Sequence, residues 1–301
     1  LTIIAKRKYK INHRIHFTGE PIKQKWNGLA QHIATVVLGN TDTVVLTFLS
    51  TLENVSVYAV YHIVVNGVKQ VVVSMTNGMQ AMLGNMLAKN EKEELLCSFS
   101  RIEWFLHALV TFVFSATAAL IVPFVRVYTS DISDANYIVP VFAYLITVAQ
   151  ASYCLRLPYN IMVLAAGHYK QTQWSAIIEA IINILVSVVL VFNFGLIGVA
   201  IGTLTAMVYR TIYLAVYLSH HILCRKIGHF VKHICTDIVC AGLVFGLLRL
   251  FPVFFEIGQI SYGAWFLLAC KVGGAALLSV VAVNLVLYKK EFFSVLKKFF
   301  V

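Results

Sequence analysis

The sequence predicts an all-α polytopic membrane protein of about eight transmembrane helices, and three observations predict it. Hydrophobic residues make up 59% of the 301 and charged residues only 12%, against about 25% charged in an average soluble domain. The apolar residues come in long blocks, without the amphipathic stripes a soluble core requires. The connections between blocks alternate between basic and acidic, the pattern that orients helices in a bilayer.

The net charge of +11 would point to nucleic acid in a soluble protein. Here the basic loops account for it, because they face anionic lipid on the inner leaflet. No nucleic-acid partner is expected; the bilayer is the partner. The six cysteines, Cys97, Cys154, Cys224, Cys235, Cys240 and Cys270, show no CxxC or metal-ligand spacing and read as packing thiols.

Taken in order, residues 1–26 form a basic cytoplasmic loop with Lys6, Arg7, Lys8, Lys10, Arg14, Lys23 and Lys25. The start, Leu1-Thr2-Ile3-Ile4-Ala5, reads like the tail of a preceding helix, so a missing N-terminal part is expected. The first span covers 27–50. The second, 57–87, is unusually polar, with Asn66, Lys69, Gln70, Ser74, Thr76, Asn77 and Gln80. Lipid would not tolerate that face, so it is expected against protein or water. A mixed loop, 89–101, precedes the third span at 104–125. The fourth, 138–166, carries Gln150, Arg156, Pro158 and Asn160, and Pro158 is expected to kink it.

Spans five (174–193) and six (196–218) form a hairpin around the corner Asn193-Phe194-Gly195. A basic loop follows, with Arg225, Lys226, Lys232 and four histidines, His220, His221, His229 and His233. These read as a solvated loop in preference to a metal site. Spans seven (234–254) and eight (262–288) flank an acidic loop with Glu256, and the tail 289–301 is a basic amphipathic segment on the inner surface. Loops placed inside carry eighteen of the 24 Lys/Arg, and the outer loops carry Glu53, Asp131, Asp134 and Glu256. Both termini are therefore expected in the cytoplasm.

Charges inside apolar spans are costly and point to function. Asp237, Arg249 and Lys271 lie where snorkelling to an interface would satisfy them. Lys69, near the midplane, and Arg156, beside Pro158 and Asn160, are expected to face a water-filled cavity, together with Asp42, Asn66 and Gln70. Glu179 and Arg210 stand at depths about 5 Å apart, which predicts an ion pair or shared network that includes Asn183. Gly198, Gly202 and Ala206 give a close-packing stripe. P-loop, HExxH and GxSxG signatures are absent from the sequence. Neither catalytic residues nor a metal are expected, and the chain does not read as an enzyme.

Several short runs carry a resemblance. They are Ala165-Ala166-Gly167 with Thr172; Ile177-Ile178-Glu179-Ala180 with Asn183; Gly195-Leu196-Ile197-Gly198-Val199-Ala200-Ile201-Gly202-Thr203; and Tyr209-Arg210. Together they resemble the C-terminal lobe of polysaccharide flippases, in the superfamily that also holds MATE multidrug exporters and lipid II flippases. Gly39-Asn40-Thr41-Asp42-Thr43-Val44-Val45-Leu46 resembles that lobe's entry helix, and span two with its Ala88-Lys89-Asn90-Glu91 exit is a looser match. The resemblance implies a MATE-like second lobe of six helices over 27–218, and two additional helices over 219–288. Residues 1–26 would be the inter-lobe connection, and the missing N-terminal lobe a partner from the same protein. It further implies alternating access in the plasma membrane of a bacterium, for a cargo of lipid-linked oligosaccharide on polyprenyl pyrophosphate. No cofactor is implied beyond coupling to a Na+ or H+ gradient. Two alternatives remain: a MATE-type exporter of organic cations, to which Asp42 and Glu179 are suited, and a membrane-embedded enzyme of envelope synthesis.

Overall fold

The computed structural model describes residues 25–255, 260–289 and 291. The basic segment before Lys25, the loop carrying Glu256 and the tail beyond Glu291 lie outside the described residues. Every regular element within them is a helix: α1 (Lys25–Leu49), α2 (Leu52–Met75), α3 (Met79–Ala88), α4 (Lys92–Tyr128), α5 (Pro140–Leu155), α6 (Leu157–Ala165), α7 (Tyr169–His221), α8 (Gly228–Leu250) and α9 (Tyr262–Leu287), with a 3₁₀ turn at Pro252–Phe255. The chain is an all-α polytopic membrane protein. Six helical stretches are long and apolar enough to cross a bilayer. One of them, α7, is a hairpin of two antiparallel arms, and α5 with α6 makes one broken helix, so the described residues hold eight helical passes through the bundle.

The hairpin turns at Gly195, where φ is 51° and ψ −125°, a conformation open only to a residue without Cβ. Its arms then pack with almost no space between them. A Cβ on Gly202 would stand 2.2 Å from Ser187 Oγ, and one on Gly198 2.4 Å from the Leu190 carbonyl oxygen. Any side chain at either position would force the arms apart.

Two crossings are broken. Between α2 and α3 the chain passes through Thr76 to Gly78, with Gly78 at φ 86°. Between α5 and α6 the break falls at Arg156. Pro158, in the first turn of α6, has no N–H to continue the α5 ladder. The two short half-helices α3 and α6 pack on each other, with Gly84 close to the Ala165 carbonyl oxygen.

α1 lies along α7, α5 lies between α7 and α4, and α8 and α9 pack on α4 and on each other. Apolar side chains form two cores. One, at the end bearing the basic loops, gathers Phe99, Leu106, Tyr159, Met162 and Leu218. The other, at the end bearing Glu53, Asp131 and Asp134, gathers Leu46, Tyr61, Phe142, Ile146 and Val199. The buried polar residues discussed below lie between and beside these cores.

Two expectations are corrected. The loop at 89–101 is helical from Lys92 onward. Glu93 and Glu94 complement the helix N-terminus, and Leu95, Phe99 and Ile102 give an apolar face at helical spacing that is buried. Asp237 does not snorkel. It accepts hydrogen bonds from Thr111 Oγ1 at 2.7 Å and His107 Nδ1 at 2.6 Å. Arg249 is exposed near the end of α8, and Lys271 Nζ donates to the Phe254 carbonyl at 2.8 Å, so its stem reaches the 3₁₀ turn.

Candidate functional site

The break at Arg156 delivers its guanidinium to the first arm of α7. Arg156 Nη1 donates to Glu179 Oε1, and the other carboxylate oxygen stands 4.0 Å from Arg210 Nε. Glu179 is thus held between two arginines, and Arg156 is the nearer partner. Arg210 is anchored separately, donating through Nη1 to Ser175 Oγ at 3.0 Å and the Thr172 carbonyl at 3.4 Å. Gln31 ties α1 to this layer by donating to Thr172 Oγ1 at 3.0 Å and to the Tyr169 carbonyl at 2.8 Å. All three charged groups are buried. Two guanidinium groups against one carboxylate leave this layer with a surplus positive charge.

Asn183, expected in the same network, is absent from it. Four residues further along α7 it reaches a second polar cage around Asp42, which is 3% exposed. Asn183 Nδ2 donates to Asp42 Oδ1 at 3.3 Å and to Thr203 Oγ1 at 3.0 Å. Thr203 Oγ1 donates to the Asp42 carboxylate at 2.7 Å, and Tyr58 donates at 3.2 Å. One turn of helix, about 5.4 Å, separates the two levels. Two buried acceptors here, Asn183 Oδ1 and Gln150 Oε1, have no partner.

A cavity of about 320 Å³ opens beside the Asp42 cage, lined by Asp42, Tyr58, His62, Asn66, Lys69 and Gln150 among others. A second, of about 210 Å³, opens beside the arginines and takes in His32, Asn160, Arg156, Glu179 and Arg210. Thr35 and Tyr153 line both. The Tyr153 ring binds a cation on behalf of each cavity, with Arg156 Cζ at 4.3 Å and Lys69 Nζ at 5.1 Å from its centroid. The geometry therefore gathers Lys69, Arg156, Asp42, Asn66 and Asn160 around two adjoining cavities. Gln70 is exposed and lines neither. Tyr58, His62 and Asn66 are spaced by four, and this spacing drifts about 40° per step, so the next member, Gln70, has rotated out of the face.

A second buried network lies on the far side of α6; it takes in Asp237, expected to snorkel, and Arg225 and His233, expected in a solvated loop, together with Glu103, His107 and Tyr159, which the sequence pattern did not single out. Arg225 forms a two-pronged pair with Glu103, Nη1 to Oε2 at 2.7 Å. His107 bridges Asp237 and Tyr159, with Nε2 2.9 Å from the Tyr159 hydroxyl. His233, one of the four loop histidines, is buried in α8 and stacks between His107 and Tyr288 at 4.8 and 4.9 Å. The signal was present as spacing: Glu103, His107 and Thr111 on α4, and His233 and Asp237 on α8, each step being four residues. Among the described residues no cluster of three or more His, Cys, Asp or Glu side chains is placed to hold a metal. The chain matches no known family model, and no curated protein is detectably similar to it in sequence.

Proposed function

We propose that the chain is one lobe of an alternating-access flippase, MATE-like in kind. Its cargo would be a polyprenyl-pyrophosphate-linked oligosaccharide, moved across a bacterial cytoplasmic membrane for surface polysaccharide synthesis. The observation that carries this reading is the pair of adjoining cavities within the apolar bundle, where Lys69, Arg156 and Arg210 outnumber Glu179 and Asp42. A pyrophosphate offers several acceptor oxygens, and guanidinium groups match them in pairs. His32, Thr35, Asn40, Gln70, Ser74 and Asn77 are exposed on α1, on α2 and at the α2–α3 break. A face that polar is unsuited to lipid. In this reading it lines a water-filled path closed by a further lobe of the same protein, with both termini of the chain cytoplasmic.

The Asp42 cage supports coupling to a Na+ or H+ gradient. A carboxylate, the Thr203 hydroxyl and the unpartnered Asn183 and Gln150 oxygens form the donor set that a small cation takes. The same carboxylate favours the second reading, a cation-coupled exporter of organic cations.

Lys69→Ala in the full-length protein separates these readings. Lys69 lines the cavity without holding the bundle together, so surface polysaccharide is expected to disappear while protein level stays unchanged. Normal polysaccharide from a normally expressed variant contradicts the flippase. Sensitivity to cationic dyes on deletion, with polysaccharide intact, would establish the exporter. Consumption of a sugar or lipid donor by the purified protein would establish an enzyme.

A further inference from the structure

Lys69 and Arg156 reach the cavities from different helices and meet on one ring. Lys69 belongs to α2, and Arg156 stands at the break between α5 and α6. Tyr153, three residues before that break, is half-buried and lines both cavities. Arg156 Cζ lies 4.3 Å and Lys69 Nζ 5.1 Å from its ring centroid, so the two cations stand within about 9 Å of each other, the two distances taken together. Like charges this close within an apolar bundle repel. The face of the ring offsets part of that repulsion, because its quadrupole attracts each cation.

A carboxylate in the place of this ring would also hold the cations, but it would neutralise them and take up their donors. Tyr153 does neither. Among the described residues Lys69 makes no hydrogen bond and no ion pair, and the Tyr153 ring is the group its ammonium rests on. Arg156 commits Nη1 to Glu179, and its Nε and Nη2 donate no hydrogen bond among the described residues. Both cations are therefore placed while their charge and most of their N–H groups stay available. A lysine ordered in advance spares a ligand the entropy of ordering it.

We propose that Tyr153 is a positioning residue that joins the two cavities into one two-part anion site, and that this site selects a prenyl pyrophosphate over a prenyl monophosphate. The inference rests on the reading that these cavities take the phosphorylated head of a prenyl carrier, and it identifies what sets the choice of head. A monophosphate gathers its charge on one phosphorus. A pyrophosphate spreads acceptor oxygens over two and can face Lys69 with one phosphate and Arg156 with the other. That advantage requires the two cations to keep a set separation, and the ring they share sets it.

Calorimetric binding of farnesyl pyrophosphate and farnesyl monophosphate to the purified full-length protein tests this. The wild-type protein is expected to bind the pyrophosphate at least about tenfold more tightly, since two charged contacts replace one. Tyr153→Phe keeps the aromatic face and is expected to keep that ratio. Tyr153→Leu keeps apolar bulk without the face. Its affinity for the pyrophosphate is expected to fall about tenfold and that for the monophosphate by less than about threefold, so the preference is lost. Phenylalanines carrying one, two and three ring fluorines at position 153 weaken the face with little change of shape. They are expected to lower pyrophosphate affinity stepwise, and they decide the matter if Tyr153→Leu fails to fold. A packing role alone would weaken both ligands equally and give no fluorine series. Equal wild-type affinity for the two ligands overturns the proposal. So does pyrophosphate affinity that is unchanged or raised in Tyr153→Leu, an equal loss for both ligands, or a flat fluorine series. Each of these leaves binding of a phosphorylated head standing, whereas wild-type protein that binds neither ligand overturns both.

Discussion

Two buried ionic clusters lie on opposite sides of one half-helix, and they are built differently. Around Glu179, two guanidinium groups share one carboxylate, and the layer borders cavities that also expose Lys69. Around His107, Glu103 pairs with Arg225, Asp237 accepts from His107 and Thr111, and aromatic rings close the cluster on two sides. An unbalanced cluster beside open space is suited to an anionic ligand. A cluster whose polar groups are matched in a closed space is suited to holding helices together.

The contrast is broken most strongly by removing one carboxylate from each cluster. Glu179→Ala strands two buried guanidinium groups and is expected to destabilise the protein by about 3–5 kcal/mol. Glu103→Ala is expected to cost less, about 1–3 kcal/mol, because Arg225 lies in the loop before α8 with its side chain 12% exposed and can turn towards solvent. Thermal unfolding in detergent measures both, and equal losses would erase the distinction. The smallest effect sharpens the cavity boundary. Gln70→Ala changes an exposed side chain outside both cavities and should leave stability within about 0.5 kcal/mol.

Much of the architecture was legible in the sequence, because lipid makes hydrophobic length a strict constraint. The apolar blocks give the helices, Gly195 gives the hairpin corner, and Pro158 gives the break that places Arg156. The partnerships were less legible. Depth along a helix follows from residue count, but azimuth follows from packing. Arg156 and Arg210 reach Glu179 at one depth, and only the helix rotations decide that Arg156 is nearer. The same limit explains Asn183, which shares a stripe with Glu179 yet bonds Asp42 one turn away.

The network around His107 stayed hidden for a different reason. Residues 92–101 look like a loop by charge, so Glu103 fell at the expected edge of a span and its spacing to His107 and Thr111 carried no weight. The break at Gly78 left no mark either, since a single glycine among many polar residues in that span does not stand out.

The central claim is that the cavities around Lys69 and Arg156 receive an anionic pyrophosphate head. Binding of farnesyl pyrophosphate and of uncharged farnesol to the purified full-length protein, by calorimetry, tests it most directly. The account predicts saturable binding of the pyrophosphate, weak or no binding of the alcohol, and at least a tenfold loss of affinity in Lys69→Ala, on the order of 1.4 kcal/mol. Equal binding of the two compounds, or pyrophosphate binding unchanged in Lys69→Ala, would contradict it.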